Sequence, residues 1–277
     1  MEHIYSSIIL WYNVYENAEH FRGCTSDGDQ TENTRCKSAG EYGREDRGRK
    51  TKMELKAENR DGIDSWNEVT LVYSAALRQI ETKMQILNDE FQHVHQYNPI
   101  EHIKARIKTP ESIVKKLKRH GLESTIDNMI THINDIAGIR IICSFTSDIY
   151  RIADMIRTQR DIKVIAIKDY ITFPKQSGYR SYHMIVTVPV YLSDRTVDTK
   201  VEIQIRTVAM DFWASLEHKI HYKFEGDAPE HIKSELIECA KMVADLDSRM
   251  LSLNDEILEI SKKLEQEREL QRKKERE

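Results

Sequence analysis

Four short apolar segments, separated by helical patterns, constrain the fold of this chain more than any other feature. The pattern of each segment predicts a β-strand. The four segments span residues 138–145, 162–167, 183–190 and 200–206. Helices are predicted over 147–158, with Ser147 or Asp148 as the N-cap, and over 207–223. Strands that alternate with helices predict an α/β (α+β) fold, in which a mixed β-sheet is flanked by helices.

Longer helical patterns flank this central region. On the N-terminal side, a helix is predicted to begin near Trp66, to carry apolar residues at intervals of four and three over 80–94, and to end before Pro99. A shorter helix is predicted over 110–119, with proline in its first turn and Gly121 just past its end. We therefore expect helical layers on the sheet as well as helices between its strands.

The C-terminal segment that begins at Pro229 predicts one long helix. Its apolar residues form a stripe over 232–264, which suits either packing on the domain or a contact between subunits. Over 261–277 the pattern fades into a charged helix end or tail. We assign residues 63–260, terminal helices included, to one folded domain.

Residues 1–62 differ from the rest of the chain. From Gly23 to Arg60 almost every residue is polar, charged or glycine. Such a segment buries too little apolar surface to offset the entropy lost on ordering. The composition predicts a disordered N-terminal tail.

Charge and cysteine content exclude several classes of protein. A net charge of −4 over 277 residues argues against a general nucleic-acid coat protein. No apolar run reaches the roughly 18 residues of a membrane-spanning helix, so no membrane association is expected. The four cysteines form no CxxC pair. We therefore expect no disulfide framework and a cytoplasmic location.

Basic residues cluster around the predicted helix 110–119. Arg106 and Lys108 alternate on an extended segment before it, and Ser112 and Lys116 share one of its faces. The nearby helix N-terminus adds donors for anions. The cluster predicts a polyphosphate site, although a solvated basic face has the same pattern.

Two acidic residues accompany the predicted strands. Asp135 precedes the first strand, and Glu202 shares one face of the last strand with Gln204 and Arg206. Mg²⁺ prefers one or two carboxylates together with phosphate oxygens. The pair predicts a metal site, whereas a turn-capping aspartate and an amphipathic edge strand are the alternatives.

A loop over 174–183 contains Lys175, Ser177 and Tyr179. A lysine suits a phosphate, and a tyrosine face suits a nucleobase, whose stacking contributes about 1–3 kcal/mol. A structural turn is the alternative. Together, the phosphate site, the two acids and this loop predict metal-assisted phosphoryl-type transfer.

Three segments, in this order, resemble the small alarmone synthetases, the single-domain members of the RelA/SpoT family. They are HINDIAGIRIICSF (132–145), KDYITFPKQSGYRSYH (168–183) and VEIQIRTVAMDFWASLEHKIHYK (201–223), and residues 99–117 look like the ATP-binding segment of the family. The resemblance covers residues 66–260 and implies a nucleotidyltransferase-like sheet. It also implies transfer of pyrophosphate from ATP to the 3′-hydroxyl of GDP or GTP, which yields AMP and guanosine tetra- or pentaphosphate in a stress response.

The resemblance also implies roles for individual residues. Asp135 and Glu202 would bind Mg²⁺ and act as the catalytic pair, with Glu202 receiving the proton of the 3′-hydroxyl. Residues that would bind ATP are Arg106, Lys108, Ser112, Lys116, Arg140 and Lys168, of which Arg140 and Lys168 would face adenine. Residues that would bind the guanosine nucleotide are Lys175, Ser177, Tyr179, His183, Gln204 and Asp211.

Two further properties follow from the resemblance. The chain lacks the His-Asp dipeptide of the family's hydrolase domain, so we expect synthesis without hydrolysis. A homotetramer assembled through terminal helices is also expected. Two other functions use the same groups: non-catalytic binding of single-stranded RNA, which the two acids disfavour, and transfer of AMP to another acceptor.

Overall fold

The computed structural model describes residues 65–95, 97–223 and 228–274. The tail predicted for residues 1–62 lies outside these ranges and stays a prediction. Within them, the elements in chain order are α1 (Trp66–His93), β1 (Ile100–Ile107), α2 (Pro110–Arg119), α3 (Ile126–His132), β2 (Ala137–Cys143), α4 (Thr146–Thr158), β3 (Lys163–Asp169), β4 (Tyr182–Tyr191), β5 (Thr196–Thr207), α5 (Val208–Lys223) and α6 (Glu230–Lys274).

The strands form one mixed sheet in the order β1-β2-β5-β4-β3. Strands β2 and β5 are parallel, whereas the pairs β1–β2, β4–β5 and β3–β4 are antiparallel. The predicted mixed sheet flanked by helices is therefore confirmed.

One face of the sheet forms the core. Val201, Ile203 and Ile205 of β5 are fully buried there, as the alternation of this strand predicts. Helix α1 packs on this face with Ile80 and Met84 fully buried. Full burial of one such side chain stabilises the fold by roughly 1.5–3 kcal/mol. Because this face supplies the apolar core, the opposite face of the sheet can carry polar groups.

Some predicted boundaries and caps differ from the structure. Helix α4 begins at Thr146, and Phe145, not Ser147 or Asp148, occupies its N-cap position. The Asp148 carboxylate accepts the Phe145 N–H at 3.1 Å from inside the first turn. The stripe of α1 ends at Phe91, because Val94 follows the helix and is exposed.

The sequence did not predict β1 or α3 as elements. Glu101, His102, Lys104 and Arg106 interrupt the apolar pattern of β1, which lies at an edge of the sheet. Helix α3 has seven residues, too few for a clear helical period. Both elements depend on tertiary contacts for their stability.

Helix α6 has the first of the two roles that its stripe suggested, packing on the domain, whereas a contact between subunits stays a prediction. Its first half packs on α5 and α4, where Ala240 and Asp247 are buried. Beyond Asp247 most of the apolar side chains are exposed, with Ile257 at 61%, and the helix continues to Lys274. None of the described helices is long and apolar enough to cross a membrane.

Candidate active site

Strand register brings polar residues into line on the open face of the sheet. Residues paired directly on neighbouring strands project from the same face. One row, from β1 to β3, consists of Lys104, Arg140, Gln204, His183 and Lys168. The adjacent row carries Arg106 on β1 and Glu202 on β5, with Gly138 between them.

The predicted adenine-facing pair is separated within this row. Arg140 on β2 and Lys168 on β3 have two strands between them. At about 4.8 Å per strand, their backbones lie roughly 14 Å apart. The structure thus places both residues on the correct face without bringing them into contact.

Asp135 lies between two predicted phosphate-binding lysines. Lys108 Nζ lies 2.7 Å from Asp135 Oδ2, and Lys116 Nζ lies 2.8 Å from Oδ1. Burial alone would raise the pKa of Asp135, but the hydrogen bonds and charges of Lys108 and Lys116 hold it below its ordinary value. The carboxylate is therefore ionised, and both lysines are fixed beside it.

The rest of the basic cluster surrounds this group. Helix α2 carries Ser112 and Lys116 of the cluster, and the side chain of its N-cap residue Thr109 accepts the Ser112 N–H. The Thr109 hydroxyl also donates to Ser112 Oγ at 3.0 Å, and Arg106 is exposed on β1. The polyphosphate cluster therefore adjoins the polar face of the sheet.

Glu202 is held by donors on both of its oxygens. His183 Nδ1 lies 3.1 Å from Oε1, and Gln204 Nε2 donates to Oε2 at 2.9 Å. Burial raises the pKa of Glu202, but His183 and Gln204 lower it further, so that it lies below its ordinary value. The negative charge of Asp135 acts in the opposite direction.

The donor set suits Mg²⁺. Two ionised carboxylates, one just before β2 and one on the paired strand β5, match a cation that takes one or two carboxylates and completes its coordination with phosphate oxygens and water. Among the described residues, no group of three or more His, Cys, Asp or Glu side chains forms a closed metal cage. An open carboxylate pair of this kind needs substrate oxygens to complete it.

Tyr179 connects the loop predicted over 174–183, called the nucleotide loop below, to the sheet. Its hydroxyl lies 2.8 Å from His183 Nε2 and accepts a hydrogen bond from Arg206 Nη2. The Lys175 ammonium lies over its ring, 4.7 Å from the centroid. Ser177 is exposed at the turn of the same loop. Lys175 therefore contacts the ring that is predicted to stack on guanine.

Asp211 joins the two predicted nucleotide subsites. It lies in the first turn of α5, where its Oδ1 accepts from Arg140 Nη1 at 3.0 Å and from Arg206 Nη1 at 3.1 Å. Thus the residue predicted to bind guanine pairs directly with the residue predicted to stack on adenine. Within the described part of the chain, Arg140 Nε is buried without a hydrogen-bond partner, which leaves a donor for a ligand atom.

Arg206 is the site residue to which the sequence assigned no role. Its side chain is 5% exposed, and it donates to Gln204 Oε1 and Ser181 Oγ as well as to Tyr179 and Asp211. The alternation of β5 placed it on the polar face. Two of its partners, Ser181 and Tyr179, lie 25 and 27 positions away along the chain, so no local signal indicated this central position.

Helix α6 packs against the nucleotide loop. Gly178 has φ +86°, and a Cβ at this position would lie closer to Ala240 Cβ than van der Waals contact allows. Trp213 Nε1 donates to the Leu236 carbonyl at 3.1 Å. A cavity of about 240 Å³ lies beside this contact, with Asp247 in its wall. The loop therefore depends on the position of α6.

Residues 105–227 match the sequence family described as a region found in RelA / SpoT proteins. Over 195 residues the chain is 49% identical to the GTP pyrophosphokinase YwaC of Bacillus subtilis strain 168, an alignment that covers 70% of this chain and 93% of YwaC.

Solved structures of small alarmone synthetases are similar to the chain. Small alarmone synthetase 2 from Bacillus subtilis has 48% sequence identity and a TM-score of 0.63, covering 69% of this chain and 98% of that one. Small alarmone synthetase 1 from the same organism, bound to its product pppGpp, has 34% identity and a TM-score of 0.66, covering 69% and 97%.

Proposed function

The chain belongs to the RelA/SpoT family, and we propose that it transfers pyrophosphate from ATP to the 3′-hydroxyl of GTP or GDP, making pppGpp or ppGpp. The similar protein YwaC is a GTP pyrophosphokinase, and a similar structure holds pppGpp. The observation that carries the proposal is the pair of ionised carboxylates, Asp135 and Glu202, beside a lysine cluster on the open sheet face.

Glu202 is the base for the acceptor. Its lowered pKa keeps it ionised at neutral pH, so it can take the proton of the guanosine 3′-hydroxyl. The freed oxygen attacks the β-phosphorus of ATP in line. The bond between that phosphorus and the α–β bridging oxygen breaks, and AMP leaves with the bridging oxygen.

The basic cluster binds the donor phosphates. Lys108 and Lys116 are fixed beside Asp135. In this position their ammonium groups can also contact phosphate oxygens and stabilise the negative charge that develops on those oxygens. Arg106 and Ser112 extend this site. Asp135 and Glu202 are the residues that would hold Mg²⁺, which when bound supplies positive charge to the phosphates.

The guanosine subsite comprises the nucleotide loop, His183, Gln204 and Asp211. Asp211 Oδ1 is occupied by two guanidinium groups, so Oδ2 is the atom left for the neighbouring N1–H and N2–H₂ donors of guanine. Adenine lacks this donor pair. Arg140 lines the adenine subsite, whereas Lys168 lies beyond Gln204 and His183 in the same row.

Three wider properties belong to the same proposal. The enzyme synthesises without hydrolysing, since the chain has no His-Asp dipeptide. It works in the cytoplasm, as its cysteine pattern indicates. It assembles as a homotetramer that covers the exposed stripe of α6, including Leu253 and Ile257.

The test is incubation of the full chain with ATP, Mg²⁺ and GTP or GDP, followed by anion-exchange chromatography. We expect AMP and a new guanosine species. Asp135→Asn and Glu202→Gln should each lower turnover by about 10²–10⁴-fold, the usual loss for such groups. Asp161→Asn is the matched control, because Asp161 pairs with Lys83 away from the site.

Three outcomes would contradict the proposal. Near-normal turnover in both site variants would show that neither carboxylate takes part in the reaction. Release of pyrophosphate instead of AMP would indicate AMP transfer. RNA binding without nucleotide turnover would indicate a binding protein.

A further inference from the structure

A closed ring of hydrogen bonds connects Arg206 with Glu202 by two arms. In one arm, Arg206 Nη2 donates to Tyr179 Oη, which lies 2.8 Å from His183 Nε2, and His183 Nδ1 lies 3.1 Å from Glu202 Oε1. In the other, the same Nη2 donates to Gln204 Oε1 at 3.1 Å, and Gln204 Nε2 donates to Glu202 Oε2 at 2.9 Å. Both arms start at one nitrogen and end on one carboxylate.

The chemistry of the end groups fixes the direction of every bond. A guanidinium has donors only, and an ionised carboxylate has acceptors only. Gln204 must therefore accept with its oxygen and donate with its nitrogen. Tyr179 accepts from Arg206, which leaves its own proton to donate to His183 Nε2. His183 is then the neutral tautomer that carries its proton on Nδ1 and donates it to Glu202.

The opposite assignment conflicts with the same contacts. A proton on His183 Nε2 would require Tyr179 Oη to accept from both Arg206 and His183. The Tyr179 hydroxyl would then have to donate its proton to a group outside the ring of hydrogen bonds. In addition, His183 Nδ1 would face the Glu202 carboxylate without a proton, unless the imidazole became a cation. Of the two neutral tautomers of His183, only the one protonated on Nδ1 therefore satisfies all five contacts.

From this geometry we infer that the Tyr179 hydroxyl is a positioning group for the reaction: it holds His183 in the Nδ1–H tautomer, and His183 with Gln204 orients the Glu202 carboxylate toward the acceptor hydroxyl. The inference rests on the proposed function and adds to it, since the ring of Tyr179 and its hydroxyl serve different steps. The ring faces the nucleotide, whereas the hydroxyl acts through His183 on proton transfer.

The first test is Tyr179→Phe, which keeps the ring and removes only the hydroxyl. We expect kcat to fall about 10–100-fold, because general-base catalysis contributes about 10²–10⁴-fold and the base remains, less well oriented. The KM for GTP should change less than about twofold. The matched control is Tyr170→Phe, because the Tyr170 ring contacts His183 edge-on at 5.3 Å while its hydroxyl lies outside the ring of hydrogen bonds.

A double-mutant cycle tests the route through His183. In a His183→Asn background, in which an amide can still donate to Glu202, Tyr179→Phe should have little further effect on kcat. Additive losses, or a raised KM for GTP with unchanged kcat, would overturn the inference. A wild-type chain that makes no alarmone at all would instead refute the proposed function.

The tautomer is measurable without activity and without a variant of Tyr179. In ¹⁵N-histidine-labelled protein, the His183 signals can be assigned by their loss in His183→Asn. We expect a protonated Nδ1 and an unprotonated Nε2 at neutral pH. A proton on Nε2 would overturn the inference, whatever the kinetics show.

Discussion

The contact between Gly178 and Ala240 gives the sharpest test of how α6 supports the nucleotide loop. Gly178→Ala introduces two separable penalties. A side chain at φ +86° costs about 1–2 kcal/mol. The new Cβ also meets Ala240 Cβ inside van der Waals distance, and overpacking of this kind costs about 1–3 kcal/mol. We expect the free energy of unfolding to fall by about 2–5 kcal/mol.

Ala240→Gly separates the two penalties. Alone, it should cost about 1 kcal/mol, since glycine is that much worse than alanine within a helix. Combined with Gly178→Ala, it removes the atom that the new Cβ meets and leaves only the backbone penalty. The double variant should thus be about 1–3 kcal/mol more stable than the sum of the single changes predicts.

Urea unfolding of the four proteins measures this coupling, and substrate kinetics measure its consequence. Because the displaced loop carries Lys175 and Tyr179, the KM for GTP should rise in Gly178→Ala while the KM for ATP changes less. Ala240→Gly should restore part of the lost affinity. Additive energies, with no coupling beyond about 0.5 kcal/mol, would refute the idea that α6 and the loop touch here.

Two further predictions concern buried polar groups. Arg206→Met removes a buried guanidinium from its partners and should lower the free energy of unfolding by about 3–5 kcal/mol. The control Arg249→Met breaks an exposed pair with Asp245 and should lower it by less than about 1 kcal/mol. Equal losses of the two variants in urea unfolding would contradict this prediction. Burial raises the pKa of Asp247 despite its hydrogen bond from Thr207, so the native state loses stability as the pH rises and this acid ionises. Asp247→Asn resembles the protonated form, and its melting temperature should therefore exceed that of the wild type increasingly as the pH rises above about 4, the ordinary pKa of an aspartic acid; a difference independent of pH would count against this assignment.

Local sequence was enough wherever a structure depends on near neighbours. The boundaries predicted for α2 match those observed, because a cap, a proline and Gly121 at φ +70° act within one helical turn of the ends. The alternation of β5 likewise placed Glu202 and Gln204 on one face and Ile203 on the other.

Where neighbours gave a mixed signal, local prediction failed. Polar residues interrupt the apolar pattern of β1, and α3 is too short for a clear period. Both became visible only in the folded structure, where β1 pairs with β2 and α3 packs against α2. The N-cap of α4 was also wrong, because Asp148 can accept a backbone hydrogen bond from inside the first turn as well as from the cap position.

The candidate site shows the same division at longer range. The sequence supplied its members, since carboxylates, lysines and a tyrosine in nucleotide-like segments are recognisable by type. It could not supply their pairs: Lys108 and Asp135 are 27 positions apart, and Arg140 and Asp211 are 71 apart. Such pairs depend on strand order and register, which follow from contacts between distant segments and not from local periodicity. The type of each functional group was therefore determined by the sequence, whereas the ring of hydrogen bonds around Glu202 was decided by the tertiary structure.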